Sequence, residues 1–123
     1  MEKKKWEKAP QKLVDLFYFV MEAHPQANLR KMFGYPCAFY NNNMFVGLHE
    51  RNLVVRLEKK ELEKAFIAKA GKPFEPMSGR VMKEYLALNE EVLSDPKQVA
   101  EFIKKSFDYV KTLPAKQKKK ITF

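Results

Sequence analysis

Apolar residues recur every three or four positions in the first part of the chain, which is the spacing of one face of an α-helix. The positions are Leu13, Leu16, Phe17, Val20 and Met21. Pro10 suits the first turn of this helix, and His24-Pro25 ends it. Val14, Tyr18 and Phe19 widen the apolar surface. This width predicts burial on two sides, and the alternative is an exposed patch that is used for association.

The pattern then changes to a period of two, which is typical of β-strands. Extended segments are predicted around Gly34-Tyr35-Pro36 and then at 44–48 and 53–57. Asn41-Asn42-Asn43 marks a turn because asparagine tolerates left-handed backbone angles, and residues 49–52 mark another. The short connections leave no room for crossover helices, so the pattern predicts an antiparallel meander.

Helical spacing returns at 59–70, and Gly71 is placed to end that helix. Two prolines in 72–79 exclude a central strand and predict a structured connector, whereas 85–88 has the composition of a strand. Asp95-Pro96 provides the N-cap and first position of a third helix. Its apolar stripe is Val99, Phe102, Ile103, Phe107 and Val110. The order predicts an α+β domain of two layers, an antiparallel sheet packed by helices on one face.

Composition narrows the class of protein. The chain has 123 residues, of which 46% are apolar and 13% aromatic, and this excludes a disordered chain and predicts one folded domain. Its longest apolar run is too short to span a membrane, and no secretory signal is indicated, so we expect a cytoplasmic protein. One cysteine and two histidines exclude an internal disulfide and a Cys/His zinc cluster. We expect no metal and no cofactor.

The formal net charge of +9 is concentrated at the two ends of the chain. Residues 1–12 carry +3 and residues 111–123 carry +5, which leaves a nearly neutral body. Lysine-rich ends can hold phosphate without reading a base sequence, so one prediction is weak, non-specific nucleic-acid binding. The candidate contacts are Lys116, Lys118, Lys119 and Lys120. The favoured alternative is a single domain of residues 1–114 followed by a basic, flexible tail of residues 115–123.

The sequence shows no pair of catalytic groups. Cys37 has no histidine beside it and is predicted to be a small buried hydrophobe. His24 and His49 are predicted to be structural or to face solvent. No phosphate-binding glycine loop, zinc-protease pair or nucleophile elbow is present, so we predict no catalytic residue and no enzyme.

Four residues are candidate contacts for an anion or a partner: Arg56, Arg80, Lys83 and Tyr85. An arginine presents a planar fork that fits a carboxylate or a phosphate. Lys83, Glu84 and Tyr85 are adjacent in a predicted strand, where neighbours face opposite sides, so they cannot act together. For the two arginines, the favoured alternative is an internal ion pair with Glu75 or Glu84.

The segments KMFGYPCAF at 31–39 and NMFVGLH at 43–49 resemble the TfoX/Sxy N-terminal-domain family. Further matching segments follow in the order of the chain at 56–57, 72–77, 79–80, 82–85, 93–95 and 106–114. The resemblance spans about residues 25–114, and the block 74–85 is its most specific part. It is nearest to the branch of small proteins that carry only this domain.

The resemblance implies a compact α+β domain, similar to secretion chaperones, in the order helix, three strands, helix, two strands, helix. The competence regulators that give the family its name use this domain in regulation, so the resemblance also implies a regulatory role. Because no pair of catalytic groups is found, the leading hypothesis is a non-enzymatic interaction module that acts through a protein partner or by self-association, for which a homodimer is one form. The family has no agreed catalytic residues to carry over. Two alternatives stay open. One is the nucleic-acid-associated protein with lysine-rich ends, and the lower one is a small-ligand binder or enzyme that uses Arg56 or Arg80 with Tyr85.

Overall fold

A computed structural model describes residues 6–77 and 79–116. These residues form six strands and four helices. In chain order the elements are α1 (Gln11–Met21), β1 (Asn28–Met32), β2 (Tyr35–Tyr40), β3 (Asn43–His49), β4 (Asn52–Arg56), α2 (Lys59–Ile67), β5 (Gly71–Met77), β6 (Arg80–Leu88), α3 (Glu90–Leu93) and α4 (Pro96–Lys111).

The six strands form one antiparallel sheet in the order β1-β2-β3-β4-β6-β5. The predicted α+β class and antiparallel meander are confirmed. Four strands precede α2, one more than the resemblance implies. The reason is a two-residue turn at Phe33-Gly34, where both residues have positive φ, 54° and 84°. This turn divides residues 28–40 into β1 and β2.

Two local predictions need correction. Residues 72–79 are predicted as a connector, but most of this segment is β5, and its two prolines are accommodated because β5 lies at the sheet edge. Gly71 does not end α2. The left-handed residue after that helix is Lys69, with φ 56°, and Gly71 is the first residue of β5. Its role is close approach between strands, since a Cβ there would lie 2.9 Å from the carbonyl carbon of Ala87 and closer still to its oxygen.

The helices cover one face of the sheet, and the main core lies between the two layers. On β4, Leu53 and Val55 point into this core, while Val54 between them belongs to a second cluster on the opposite face. Helix α4 packs across β3 and β4, and α1 packs on α4. The hydroxyl of Ser106 donates a hydrogen bond of 2.6 Å to the carbonyl of Phe45 and ties α4 to β3.

Helix α1 confirms one prediction and contradicts another. The predicted helix is present, and its stripe is buried at Leu13, Phe17, Val20 and Met21. Burial on two sides is wrong, because Phe19 is 66% exposed and Tyr18 is also exposed. The outer face of α1 is therefore an exposed apolar patch, which was the less favoured alternative.

Helix α4 begins where the sequence predicts. The Asp95 carboxylate accepts hydrogen bonds of 3.1 Å from the backbone N–H of Lys97 and from the Gln98 amide, and Pro96 occupies the first helical position. The Gln98 hydrogen bond and then the backbone N–H of Lys97 lower the pKa of Asp95. The carboxylate form is thus the one that stabilises the helix.

We expect Asp95→Ala to lower the urea midpoint of unfolding without changing its slope, because a free N–H at the start of α4 loses its acceptor. Asp95→Asn should retain most of the wild-type midpoint, since an amide oxygen also caps. Folding lowers the pKa of Asp95, so the charged carboxylate stabilises the folded state. The difference in urea midpoint between wild type and Asp95→Ala should therefore shrink as the pH falls through the folded-state pKa. Equal midpoints for Asp95→Ala and wild type would show that another group caps α4.

Candidate functional site

Arg56 lies in an internal ion pair. Its guanidinium contacts the Glu84 carboxylate at 2.8 Å through both Nε and Nη2, and the Tyr109 hydroxyl donates to the other carboxylate oxygen at 2.8 Å. Burial and this hydrogen bond raise the pKa of Tyr109. The favoured alternative for Arg56 is confirmed, because the side chain links β4 to β6 and, through Tyr109, the sheet to α4.

The other predicted contacts do not gather around Arg56 as a single site. Tyr85 is its cross-strand neighbour, but the Tyr85 hydroxyl donates to the carbonyl of Met44 at 2.9 Å, and burial raises its pKa. Arg80 and Lys83 are exposed toward the outer end of β6. As contacts to an anion or a partner, all four residues stay predictions.

The chain leaves α4 along the β2–β3 turn. The Lys116 N–H donates to the carbonyl of Asn41 at 2.9 Å, and the amides of Asn42 and Asn43 donate to the carbonyls of Lys116 and Pro114 at 3.1 Å. The Lys116 side chain is exposed. Lys118, Lys119 and Lys120 lie outside the described residues, so the basic tail and its phosphate contacts stay predictions.

The sheet face opposite the helices, called here the open face, holds a site that the sequence analysis missed. An apolar cavity of about 230 Å³ opens there. Its walls include Met32, Phe33, Met44, Val54, Phe74 and Met82. Gly47 forms part of the floor, where a Cβ would lie only 3.1 Å from the Cβ of Cys37. We call this space the apolar cavity.

The polar groups in the wall of the apolar cavity are uncharged near neutral pH. Burial raises the pKa of the Cys37 thiol, which donates to the carbonyl of Arg30 at 3.5 Å. Burial also lowers the pKa of His49, and this effect is larger than that of the negative charge of Glu50, which raises it. Cys37 is a small buried hydrophobe, as predicted, and His49 is buried among aromatic rings rather than facing solvent.

Trp6 forms the outer wall of the apolar cavity. Its ring meets Phe33 edge-on at 5.3 Å and His49 at 4.7 Å between centroids. Glu7, the next residue in the chain, holds Trp6 in position. The Glu7 N–H donates to the Glu50 carboxylate at 2.9 Å, and the Glu7 carboxylate pairs with Arg51 at 3.1 Å. Segments that are far apart in the chain thus meet at this cavity.

Strand β1 forms one edge of the sheet, and all five of its residues are exposed. Leu29 is 47% exposed and Met32 is 42% exposed. The guanidinium of Arg30 lies 4.8 Å over the Phe39 ring of the neighbouring strand. This edge therefore offers backbone groups, apolar side chains and positive charge together.

Within residues 6–77 and 79–116, no three His, Cys, Asp or Glu side chains come together in a way that could hold a metal ion. In the same part of the chain, no helix is both long and apolar enough to cross a membrane.

Comparison with known proteins relates this chain to a protein family. No curated protein matches the chain. The family model described as the TfoX N-terminal domain matches residues 20–110, which is most of the chain and agrees with the segments quoted above. The chain belongs to the TfoX N-terminal domain family.

Proposed function

We propose that the chain is a non-enzymatic interaction module that binds an extended, acidic segment of a protein partner at the free edge of β1. Its family is not known as a family of enzymes, and membership of the TfoX N-terminal domain family favours a regulatory role. The observation that carries the proposal is the exposed β1 edge. Sheet edges with unpaired backbone groups take up extended peptides as an added strand.

The two edges of the sheet differ. On β5, Pro73 and Pro76 lack N–H donors, so that edge is poorly suited to a further strand. Strand β1 contains no proline and pairs only with β2 among the described strands. The β1 edge is thus the side of the sheet that can accept another strand.

The register shows which backbone groups of β1 are available. Met32 and Tyr35 flank the two-residue turn and are cross-strand partners. In such a hairpin the flanking pair exchanges both hydrogen bonds, and alternate residues turn their N–H and C=O groups away from the partner strand. Leu29 and Lys31 therefore present their backbone groups to the free side.

The positive charge of β1 determines which kind of segment can pair with its free edge. Two copies of β1 could pair antiparallel with the two-fold axis at Arg30 or between Arg30 and Lys31. Either arrangement places positive side chains opposite each other, which is unfavourable. A segment with Asp or Glu opposite either of these two residues gains attraction instead. Leu29 adds exposed apolar surface beside them. An acidic segment with interspersed apolar residues therefore fits the edge better than a second copy of this chain does.

We expect a blocked eight-residue peptide of alternating valine and glutamate to bind the full chain and to shift the backbone amide resonances of β1. Leu29→Pro should weaken this binding about tenfold, because it removes an outward N–H donor while the β1–β2 hydrogen bonds stay in place. Leu29→Thr is the matched control, since it also removes the leucine side chain but keeps the N–H, and it should lose only the part of the binding that the leucine side chain contributes.

Three results would contradict the proposal. One is equal binding by Leu29→Pro and Leu29→Thr, with both variants folded. Another is equal binding of a peptide in which lysine replaces glutamate. The third is a wild-type chain that sediments as a dimer and becomes monomeric in Leu29→Pro, because β1 would then be occupied by a second copy.

The alternative function, non-specific nucleic-acid binding, depends on the lysine-rich ends. It is supported by the distribution of charge, since residues 13–110 are nearly neutral. Binding that weakens steeply with salt and does not depend on Leu29 would favour it over the β1 edge.

A further inference from the structure

We infer that the apolar cavity on the open face is a binding site for a small, uncharged molecule of about the size of a bicyclic aromatic ring system. This site goes beyond the proposed function, because its ligand is a small molecule and its floor lies on β2 and β3 rather than at the free edge of β1. The inference is based on the volume, the chemistry and the adaptability of the walls.

The volume sets the size of the ligand. A dry protein cavity of about 150 Å³ with apolar walls is large enough to bind benzene. The apolar cavity here is about 230 Å³, so it has room for a larger ring system. The absence of a side chain at Gly47 contributes to this room, because a Cβ there would meet Cys37 and Met44 at 3.1 and 3.6 Å.

The chemistry of the walls sets the charge of the ligand. Most side chains are aromatic, aliphatic or thioether groups, and the polar groups among them are the Cys37 thiol, the His49 imidazole and the Tyr35 hydroxyl, which donates to the carbonyl of Glu7. Burial keeps all three uncharged near neutral pH. A charged ligand would lose its hydration without gaining a counterion inside the cavity. Among the described residues, the buried Nε2 of His49 has no hydrogen-bond partner.

The walls can also adapt to a ligand. Met32, Met44 and Met82 line the apolar cavity, and methionine is flexible, unbranched and polarizable. Thioethers make favourable contacts with aromatic rings, which is consistent with an aromatic ligand. A fourth methionine, Met21, is buried in the main core on the other side of the sheet and serves as an internal control.

The test uses the full chain labelled with ¹³C at its methionine methyl groups and titrated with indole, an uncharged bicyclic compound with one N–H. We expect saturable shifts of the methyl resonances of Met32, Met44 and Met82, and no shift for Met21. Indole-3-acetate, which has the same rings and a negative charge, should bind at least about tenfold more weakly, a difference of about 1.4 kcal/mol.

A matched pair of variants tests the location. Met82→Trp places a large ring at the exposed rim of the cavity and should weaken indole binding about tenfold. Ile67→Trp adds the same ring on α2, where the side chain is 83% exposed and is not part of the cavity wall, and should leave binding unchanged. Equal affinities for the two variants would overturn the inference. Equal binding of indole and indole-3-acetate, or shifts that include Met21 to the same extent, would overturn it as well.

Discussion

Replacing Gly71 by alanine should destabilise the protein by about 3 kcal/mol, the upper range for forcing extra atoms into a packed site. An added Cβ would overlap the backbone carbonyl of Ala87, so β5 and β6 would have to separate. Backbone cannot rotate out of the way as a flexible side chain can. The free energy of unfolding from urea denaturation measures the effect.

Gly34→Ala is the matched control for this prediction. Gly34 has a positive φ of 84°, and no atom of the described residues lies within 4 Å of an added Cβ. The same substitution there should cost only the backbone strain, about 1 kcal/mol. Similar losses for the two variants would show that the close approach of the Ala87 carbonyl adds nothing to the cost of a Cβ at Gly71.

Phe45→Ala should destabilise the protein by about 4 kcal/mol, because it leaves a large void in the main core. Phe45 is the extra residue of a β-bulge, since Ala38 pairs with Val46 and Phe39 pairs with Met44. Its ring is fully buried and lies 5.2 Å from the ring of Phe107 on α4. The free energy of unfolding again provides the measurement.

Phe19→Ala removes the same atoms from an exposed position of α1 and should change the free energy of unfolding by no more than about 0.5 kcal/mol. A loss for Phe19→Ala as large as that for Phe45→Ala would mean that the outer face of α1 is covered in solution. That result would restore the interpretation of α1 as a helix buried on two sides.

Local signals predicted much of the fold. The start of α4 follows from Asp95 and Pro96 because capping depends on residues within one turn. The meander follows from alternation and short turns, and the ion pair of Arg56 follows from the preference of arginine for a carboxylate. Each of these features depends on residue types that favour one local structure or one kind of partner.

The cavity and the role of Gly71 could not be predicted in this way. Trp6, Phe33 and Phe74 lie far apart in the sequence, and only the order of the strands and the contacts of Glu7 bring their side chains together at the cavity. A glycine after a helix usually indicates a helix end, and nothing near Gly71 in sequence reveals the approach of the Ala87 carbonyl. Sites formed by distant segments need the topology before their residues can be named.

The hydrogen bond between Ser106 and Phe45 joins residues that are 61 positions apart, whereas the strands of the meander join neighbours in sequence. Contacts between distant segments require closure of a long loop, so they form more slowly than local hairpins. We therefore expect β1 to β4 to gain structure early during folding and α4 to dock late. Substitutions at Ser106 should then accelerate unfolding and leave the folding rate nearly unchanged.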